Sequence, residues 1–237
     1  MPEHVLVIAP HPDDEAIGCG GAICLHRLRG DPVQVVFLTS GEHGLDGVTE
    51  SVARATREAE AAAAARELQI SGLEFLRLPD QSLWRNRARA ASKLKKVLEK
   101  QRPRLIYLPH PDDNHPDHEA TLPIVCRALS KAGHQEGFPE LRGYEIWSPM
   151  ARYGWVEDIS GVMRQKLRAV CCYHSQLRVF SYDRAIRGLN AYRGVLAAGS
   201  RYAEAFVYLD PEMVEQQPVE PRRSVGWRSN RSRERRE

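Results

Sequence analysis

The chain has 237 residues, of which 42% are hydrophobic and 27% are charged, the proportions of an ordinary globular protein. No apolar run approaches the roughly 18 residues that a membrane-spanning helix needs, and no signal-peptide pattern opens the chain. The formal net charge of +3 comes from residues 215–237, which hold seven arginines and four glutamates. Without them the 34 basic and 31 acidic residues fall to 27 each, so the rest of the chain is neutral.

The five cysteines are an odd number and show no paired spacing. Such cysteines are typical of reduced, structural thiols. We therefore expect a cytoplasmic protein.

Apolar stretches alternate with amphipathic or alanine-rich stretches along most of the chain. Residues 4–9 and 33–38 are apolar on both faces, as in strands of a parallel sheet that helices cover. This alternation predicts an α/β fold with an open, mostly parallel sheet and right-handed crossovers. The predicted strands are 4–9, 33–38, 73–78, 105–108, 144–147 and 206–209, and the predicted helices are 16–29, 50–69, 86–101, 117–132, 160–173 and 182–198.

We expect a single domain over residues 1–214. From Glu215 onward proline, arginine, serine and glutamate dominate, which predicts a disordered tail over residues 215–237. Trp227 among arginines would also suit a nucleic acid or an anionic surface. A solvated tail is the simpler interpretation, so we do not expect a nucleic-acid partner.

A cluster of ionisable side chains directly follows the first predicted strand. His11, Asp13, Asp14 and Glu15 lie within five residues of one another. Like charges beside a core are costly unless a positive charge lies among them, and a divalent metal ion is the simplest candidate. His11 and Asp14 are spaced to hold one ion from a single turn.

The fourth predicted strand runs into a second cluster. It contains His115 and His118, which are three residues apart at a helix start and therefore share one face. Because ligands collect beyond the carboxyl ends of strands in such sheets, the two clusters are predicted to meet at one crevice. Three protein ligands and one open position are typical of a catalytic zinc site, although two histidines and a carboxylate also suit iron(II).

Together the two clusters resemble the motifs of the PIG-L/LmbE-like N-deacetylases. These metal-dependent enzymes have a Rossmann-like fold and remove acetyl groups from N-acetylglucosaminyl compounds. The resemblance rests on residues 10–15 with the glycine-containing segment 18–21, and on residues 115–118. Supporting matches are Arg57-Glu58-Ala59-Glu60, Leu78-Pro79-Asp80, His174-Ser175-Gln176 and Tyr202-Ala203-Glu204-Ala205-Phe206.

The resemblance implies a ligand set and a base. His11, Asp14 and His118 would bind the metal ion, which is zinc by default. Asp13 would be the general base that takes the proton of the water attacking the amide carbonyl. The substrate would be a small N-acetylated amino-sugar conjugate, and the sequence is compatible with a homo-oligomer.

The resemblance also implies three further roles. His115 would stabilise the oxyanion or protonate the leaving amine, and Asp117 would orient one of the imidazoles. Arg57 would bind the substrate's sugar, although a solvated position on a charge-rich helix is an alternative. Glu15 would support the helix entry without binding the metal.

The same residue types also suggest other hypotheses. The glycines at 18–21 suggest a dinucleotide site, but G-x-G-x-x-G is absent and the neighbouring carboxylates would repel a pyrophosphate.

Three polar residues of the second cluster are interpreted as rim residues rather than ligands: His110, Asp112 and Asp113. A metallophosphoesterase would use similar Asp and His residues with two metals, and a non-catalytic binding protein would not need Asp13.

Overall fold

The computed structural model describes residues 2–132 and 138–210. Across these residues seven strands form one sheet in the order β3-β2-β1-β4-β5-β7-β6. All described strands run in the same direction except β7, which is antiparallel to both of its neighbours. The strands are β1 (Val5–Ala9), β2 (Val33–Thr39), β3 (Gly72–Leu78), β4 (Leu105–Pro109), β5 (Glu140–Tyr144), β6 (Trp155–Asp158) and β7 (Ala203–Leu209).

Helices cover both faces of this sheet, as the alternating pattern predicts. One core lies between the sheet and helices α1, α2, α5 and α7, and the other lies between the sheet and α3 and α4. The mostly parallel α/β fold is therefore confirmed. The helices are α1 (Asp14–Arg29), α2 (Glu50–Leu68), α3 (Arg87–Gln101), α4 (Pro116–Ala132), α5 (Met163–Cys171), α6 (His174–Leu177) and α7 (Tyr182–Arg193).

Strands β1 and β4 flank the point where the strand order reverses. From β1 the chain proceeds to β2 and β3 on one side, and then returns to β4 and β5 on the other. In open α/β sheets the connections diverge at such a switch point and leave a crevice beyond the carboxyl ends of the strands. Both sequence motifs follow these two strands.

The predicted fifth strand was misplaced. The strand ends at Tyr144, where residues 144–147 were predicted to form it, and it pairs with β4 from Glu140 onward. Only Leu141 and Tyr144 are large apolar residues in this strand. The prediction relied on a run of apolar residues, and such a run is found only in the residues that follow. Gly143 is required because a Cβ there would lie 2.9 Å from Val207.

Other elements also differ from the prediction. The short edge strand β6 and the four-residue helix α6 were not predicted, because each offers too few apolar residues for a period to be detected. The helix predicted over 182–198 ends at Arg193 and continues as a π-helical turn over Gly194–Ala198. The predicted boundary at 214 and the tail over 215–237 lie outside the described residues.

Helix α1 is interrupted at Cys19, whose φ of −137° is not helical. The amides of Gly21 and Ala22 instead donate to the carboxylate of Glu204 on β7, at 2.7 and 2.8 Å. Lys166 on α5 donates to the same carboxylate at 2.7 Å. The glycine-containing segment 18–21 thus allows close packing. The amides of Gly21 and Ala22 already donate to a carboxylate.

Breaking the Lys166–Glu204 pair should destabilise the protein strongly. Both side chains are fully buried, so Lys166→Met would leave a buried carboxylate without its counter-charge, at a cost of about 3–5 kcal/mol. The matched control is Lys95→Met, which removes an exposed pair with Glu99 and should cost less than about 1 kcal/mol. Urea unfolding of both variants measures the difference, and equal midpoints would contradict the prediction.

In the described part of the chain, no helix combines the length and apolar character needed to cross a membrane.

Candidate metal centre at the switch point

The loop between β1 and α1 has a strained backbone at Asp13. Its φ of 126° lies in a region that a non-glycine residue occupies only when its surroundings hold it there, at a cost of order 1–3 kcal/mol. The guanidinium of Arg57 donates to the Pro12 carbonyl at 2.5 Å and to Asp13 Oδ2 at 3.1 Å. From the other side, the Asp13 amide donates to Glu15 at 3.2 Å.

Glu15 connects this loop to the segment after α5. The Tyr173 hydroxyl donates to its carboxylate at 2.5 Å, and both side chains are buried. Burial raises the pKa of Glu15 to about 8, which the hydrogen bond from Tyr173 opposes. The carboxyl group of Glu15 thus holds the loop, which is the supporting role expected for it.

The two motifs meet around one carboxylate oxygen. Asp14 Oδ2 lies 3.2 Å from His11 Nδ1 and 3.3 Å from His118 Nε2. Two ligand atoms that each lie 2.0–2.1 Å from a zinc ion at the tetrahedral angle are about 3.3 Å apart. Both distances from Asp14 Oδ2 therefore fit ligand atoms of one ion.

The charges of this cluster also fit a cation. Among the described residues, both buried ring nitrogens of His118 contact carboxylates, Asp14 and Asp113, but neither makes a hydrogen bond of good geometry, which leaves them poorly satisfied. Burial opposes a proton on His118, yet the Asp14 and Asp113 carboxylates outweigh it and raise its pKa to about 9. The carboxylates thus require positive charge at this point, which a metal ion supplies when it replaces the protons.

Two carboxylates fix the far side of the His11 ring. His11 Nε2 lies 3.1 Å from Asp80 Oδ1 and 3.3 Å from Asp117 Oδ2. Backbone amides hold both carboxylates: Gln81 and Leu83 donate to Asp117 at 2.8 and 2.9 Å, and His43 donates to Asp80 at 3.0 Å. A carboxylate bonded to the second ring nitrogen orients a metal-binding histidine and makes it a stronger ligand.

Asp113 makes the corresponding ion-pair contact with His118. Its Oδ1 lies 3.2 Å from His118 Nδ1, and the Trp147 amide donates to its Oδ2 at 3.0 Å. The interpretation of Asp113 and His110 as rim residues was wrong, because both are buried, whereas Asp112 is exposed. No local pattern in the sequence distinguishes the buried Asp113 from its exposed neighbour Asp112.

Replacing Asp113 by asparagine should weaken metal binding about 10- to 100-fold, because an amide orients the His118 ring less well than a carboxylate. The matched control is Asp112→Asn, which changes the exposed neighbour. Competition with a chromophoric chelator gives both affinities. Equal affinities for Asp113→Asn and the control would contradict the assignment.

Asp13 lies beside this cluster without belonging to the predicted ligand set. Burial raises its pKa to about 7, while the nearby charge of Arg57 opposes the shift and Asp14 adds to it. A carboxyl group with a pKa near neutrality is suited to proton transfer at physiological pH. Arg57 itself is buried, which excludes the solvated alternative, and its role in binding substrate stays a prediction.

His115 completes the polar surface. Its ring lies 4.8 Å from His11 and 4.6 Å from His118, measured between ring centroids. Its Nδ1 accepts the Asp117 amide at 3.2 Å. Burial, together with the neighbouring imidazoles, lowers its pKa to about 3. The ring is therefore neutral, with its proton on Nε2.

Fold and site together define an α/β protein with a candidate metal centre at the switch point of its sheet. The sequence profile of PIG-L, described as GlcNAc-PI de-N-acetylase, matches residues 6–129. This is just over half of the chain and includes both motifs. The chain belongs to the PIG-L family, which confirms the resemblance found in the sequence.

Individual relatives agree with this family. The chain is 38% identical over 136 residues to the probable N-acetyl-alpha-D-glucosaminyl L-malate deacetylase 2 of Bacillus subtilis, covering 54% of this chain and 62% of that protein. It is 31% identical over 222 residues to the diacetylchitobiose deacetylase of Thermococcus kodakarensis, covering 86% and 82%. A solved conserved protein of Thermus thermophilus superposes with a TM-score of 0.75 at 32% identity, over 88% of this chain and 95% of that one.

Proposed function

We propose that this protein is a metal-dependent hydrolase that removes the acetyl group from an N-acetylated amino sugar. The observation that carries the proposal is the convergence of His11, Asp14 and His118 on one point beside the buried carboxyl group of Asp13. Relatives named as deacetylases of N-acetylglucosaminyl compounds support the choice of substrate class.

His11, Asp14 and His118 would hold the ion, with zinc the first candidate and iron(II) the second. When bound, the metal polarises the amide carbonyl and lowers the pKa of water near it. Asp117 and Asp80 hold the His11 ring in the orientation that ligation needs.

Asp13 takes the proton from the attacking water. With a pKa near neutrality, it can accept that proton and later release it to the amide nitrogen as the C–N bond breaks. The water oxygen ends in acetate. One of its protons reaches the amine through Asp13, and the other goes to the amine or to the solvent. Arg57 lies 3.1 Å from this carboxylate and limits its movement.

His115 donates a hydrogen bond to the oxyanion of the tetrahedral intermediate. Its Nδ1 accepts a backbone amide, so the proton on Nε2 is free to point at substrate. A neutral imidazole with a low pKa suits hydrogen-bond donation better than proton release. Of the two roles considered for His115, we therefore favour oxyanion stabilisation.

The test is release of free amine and acetate from a panel of N-acetylglucosaminides, with metal content measured in the same preparation. We expect release by the metal-loaded protein and its loss after chelation. No release from any member at full metal occupancy would contradict the proposal. Hydrolysis of phosphate esters in a parallel panel, with two metal ions per chain, would favour the phosphoesterase alternative.

A further inference from the structure

The loop between β5 and β6 contains a buried ion pair that lies outside both motifs. We propose that Arg193 and Glu145 are positioning residues: they fix the loop of residues 145–150, whose amides hold Asp113 against His118. This inference rests on the proposed function and deepens it, because it assigns residues far from both motifs that set the metal affinity of the same site.

The loop of residues 145–150 contacts the metal centre through its backbone. The amides of Trp147 and Ser148 donate to Asp113 Oδ2 at 3.0 and 3.4 Å. The other oxygen of the same carboxylate, Oδ1, lies 3.2 Å from His118 Nδ1. The direction in which Asp113 presents this oxygen to the imidazole therefore depends on where the loop places its amides.

Two further contacts connect the middle of the loop to the second motif. The buried His110 ring bonds the Ser148 carbonyl through Nε2 at 2.7 Å. A carbonyl oxygen only accepts, so His110 carries its proton on Nε2. The Asn114 amide donates to the Ser148 hydroxyl at 3.1 Å. A displacement of the loop would therefore be passed to the segment that carries Asp113.

The ion pair between Arg193 and Glu145 closes the loop. The Met150 amide donates to Glu145 Oε1 at 2.6 Å, and the guanidinium of Arg193 donates to the Met150 carbonyl at 2.7 Å. Arg193 also donates to both carboxylate oxygens of Glu145, from Nε at 3.2 Å and from Nη2. The first and last residues of the loop are thus held together by one guanidinium.

The position of Arg193 is itself set by its surroundings. Arg193 ends α7, and the chain continues as a π-helical turn from Gly194, where a Cβ would lie 2.5 Å from the Tyr202 backbone nitrogen. The guanidinium lies over the Tyr153 ring, 4.7 Å from its centroid. Turns of this kind occur frequently at functional sites, and here the turn directly follows the residue that closes the loop.

Stability alone does not account for this pair. Both side chains are buried, and removing two charges from water costs about as much as their attraction returns, so apolar side chains would stabilise the fold as well. The pair instead provides hydrogen bonds of fixed direction to one loop. Because a carboxylate bonded to the second ring nitrogen orients a metal-binding histidine, fixing Asp113 through the loop fixes His118.

The experiment measures Zn²⁺ affinity by competition with a chromophoric chelator in Glu145→Met/Arg193→Met. This double variant leaves no buried charge unpaired. The matched control is Lys166→Met/Glu204→Met, which removes another fully buried ion pair and does not change the loop. We expect an about tenfold lower affinity in the first variant and a change of less than about threefold in the control. Urea unfolding gives the stability of each protein.

Arg193→Lys is a second variant that keeps the buried charge. Lysine cannot donate to Glu145 and Met150 as a planar fork, so its Zn²⁺ affinity should lie between that of the wild type and that of Glu145→Met/Arg193→Met. An affinity of Arg193→Lys below that of the double variant would overturn the positioning role.

A mutant cycle separates positioning from general destabilisation. Because the ion pair acts on His118 through Asp113, adding Glu145→Met/Arg193→Met to Asp113→Asn should lower the affinity by less than about threefold. Losses that multiply, no loss in the double variant, or an equal loss in the Lys166 control would overturn the positioning role. These affinities need no turnover. A wild type that shows this coupling but releases no amine would overturn the deacetylase proposal alone, and a wild type that binds no Zn²⁺ would overturn both.

Discussion

Asp13→Asn is expected to lower kcat by about 10²- to 10⁴-fold, the usual contribution of a general base. The amide has nearly the same shape as the carboxylate but cannot accept the proton of water. Asparagine also tolerates a positive φ better than most residues, so the strained loop should keep its conformation. Amine release and metal content, measured on the same sample, test this prediction.

The metal measurement separates two explanations of a loss. If Asp13→Asn is inactive but retains its metal, the base assignment is supported. If it loses the metal, Asp13 belongs to the ligand set instead. Full activity in this variant would exclude Asp13 as the base, and the exposed carboxylate change Glu99→Gln provides the matched control.

Metal affinity is expected to rise about tenfold per pH unit for each proton that binding displaces. In the metal-free protein the pKa of His118 is about 9. His118 therefore carries a proton at neutral pH, and the metal must displace it. Burial opposes a proton on His11 too, but Asp80, Asp117 and Asp14 outweigh it and raise its pKa well above the ordinary value. Below pH 9 the affinity should fall as the pH is lowered.

Chelator competition between pH 6 and pH 8 measures this dependence. His118→Gln should abolish stoichiometric binding and lower activity at least about 10³-fold, because the ion would lose one of three ligands. His43→Gln is the matched control, since its side chain is 41% exposed and lies outside the cluster. An affinity independent of pH in the wild type would contradict the proton displacement.

The two motifs could be predicted because each depends on residues that are close together in the sequence. His11, Asp13 and Asp14 follow a stretch whose apolar side chains require burial. His115 directly precedes α4 and His118 lies in its first turn, so their three-residue spacing brings them close together. The alternation of strands and helices then restricts the topology enough to predict that both motifs meet at one edge of the sheet.

The partners of these residues were not predictable. Asp80 and Asp113 bind the imidazoles through contacts that depend on how separate loops pack, and neither lies in a pattern that distinguishes it from a surface carboxylate. The ion pair between Lys166 and Glu204 likewise joins α5 to β7, far apart in sequence. Strand β5 was misplaced because its position depends on pairing with β4 and β7 more than on its own apolar residues.

The sequence by itself determined the kind of fold, the two motifs and the family to which they belong, since periodicity and residue type act over short distances along the chain. Only the tertiary structure decided which carboxylate holds which imidazole, that Arg57 is buried against the Asp13 loop, and that Trp147, Phe180 and Tyr182 pack against one another. Those contacts join segments whose separation in space is set by packing of the whole sheet, and no local pattern encodes it.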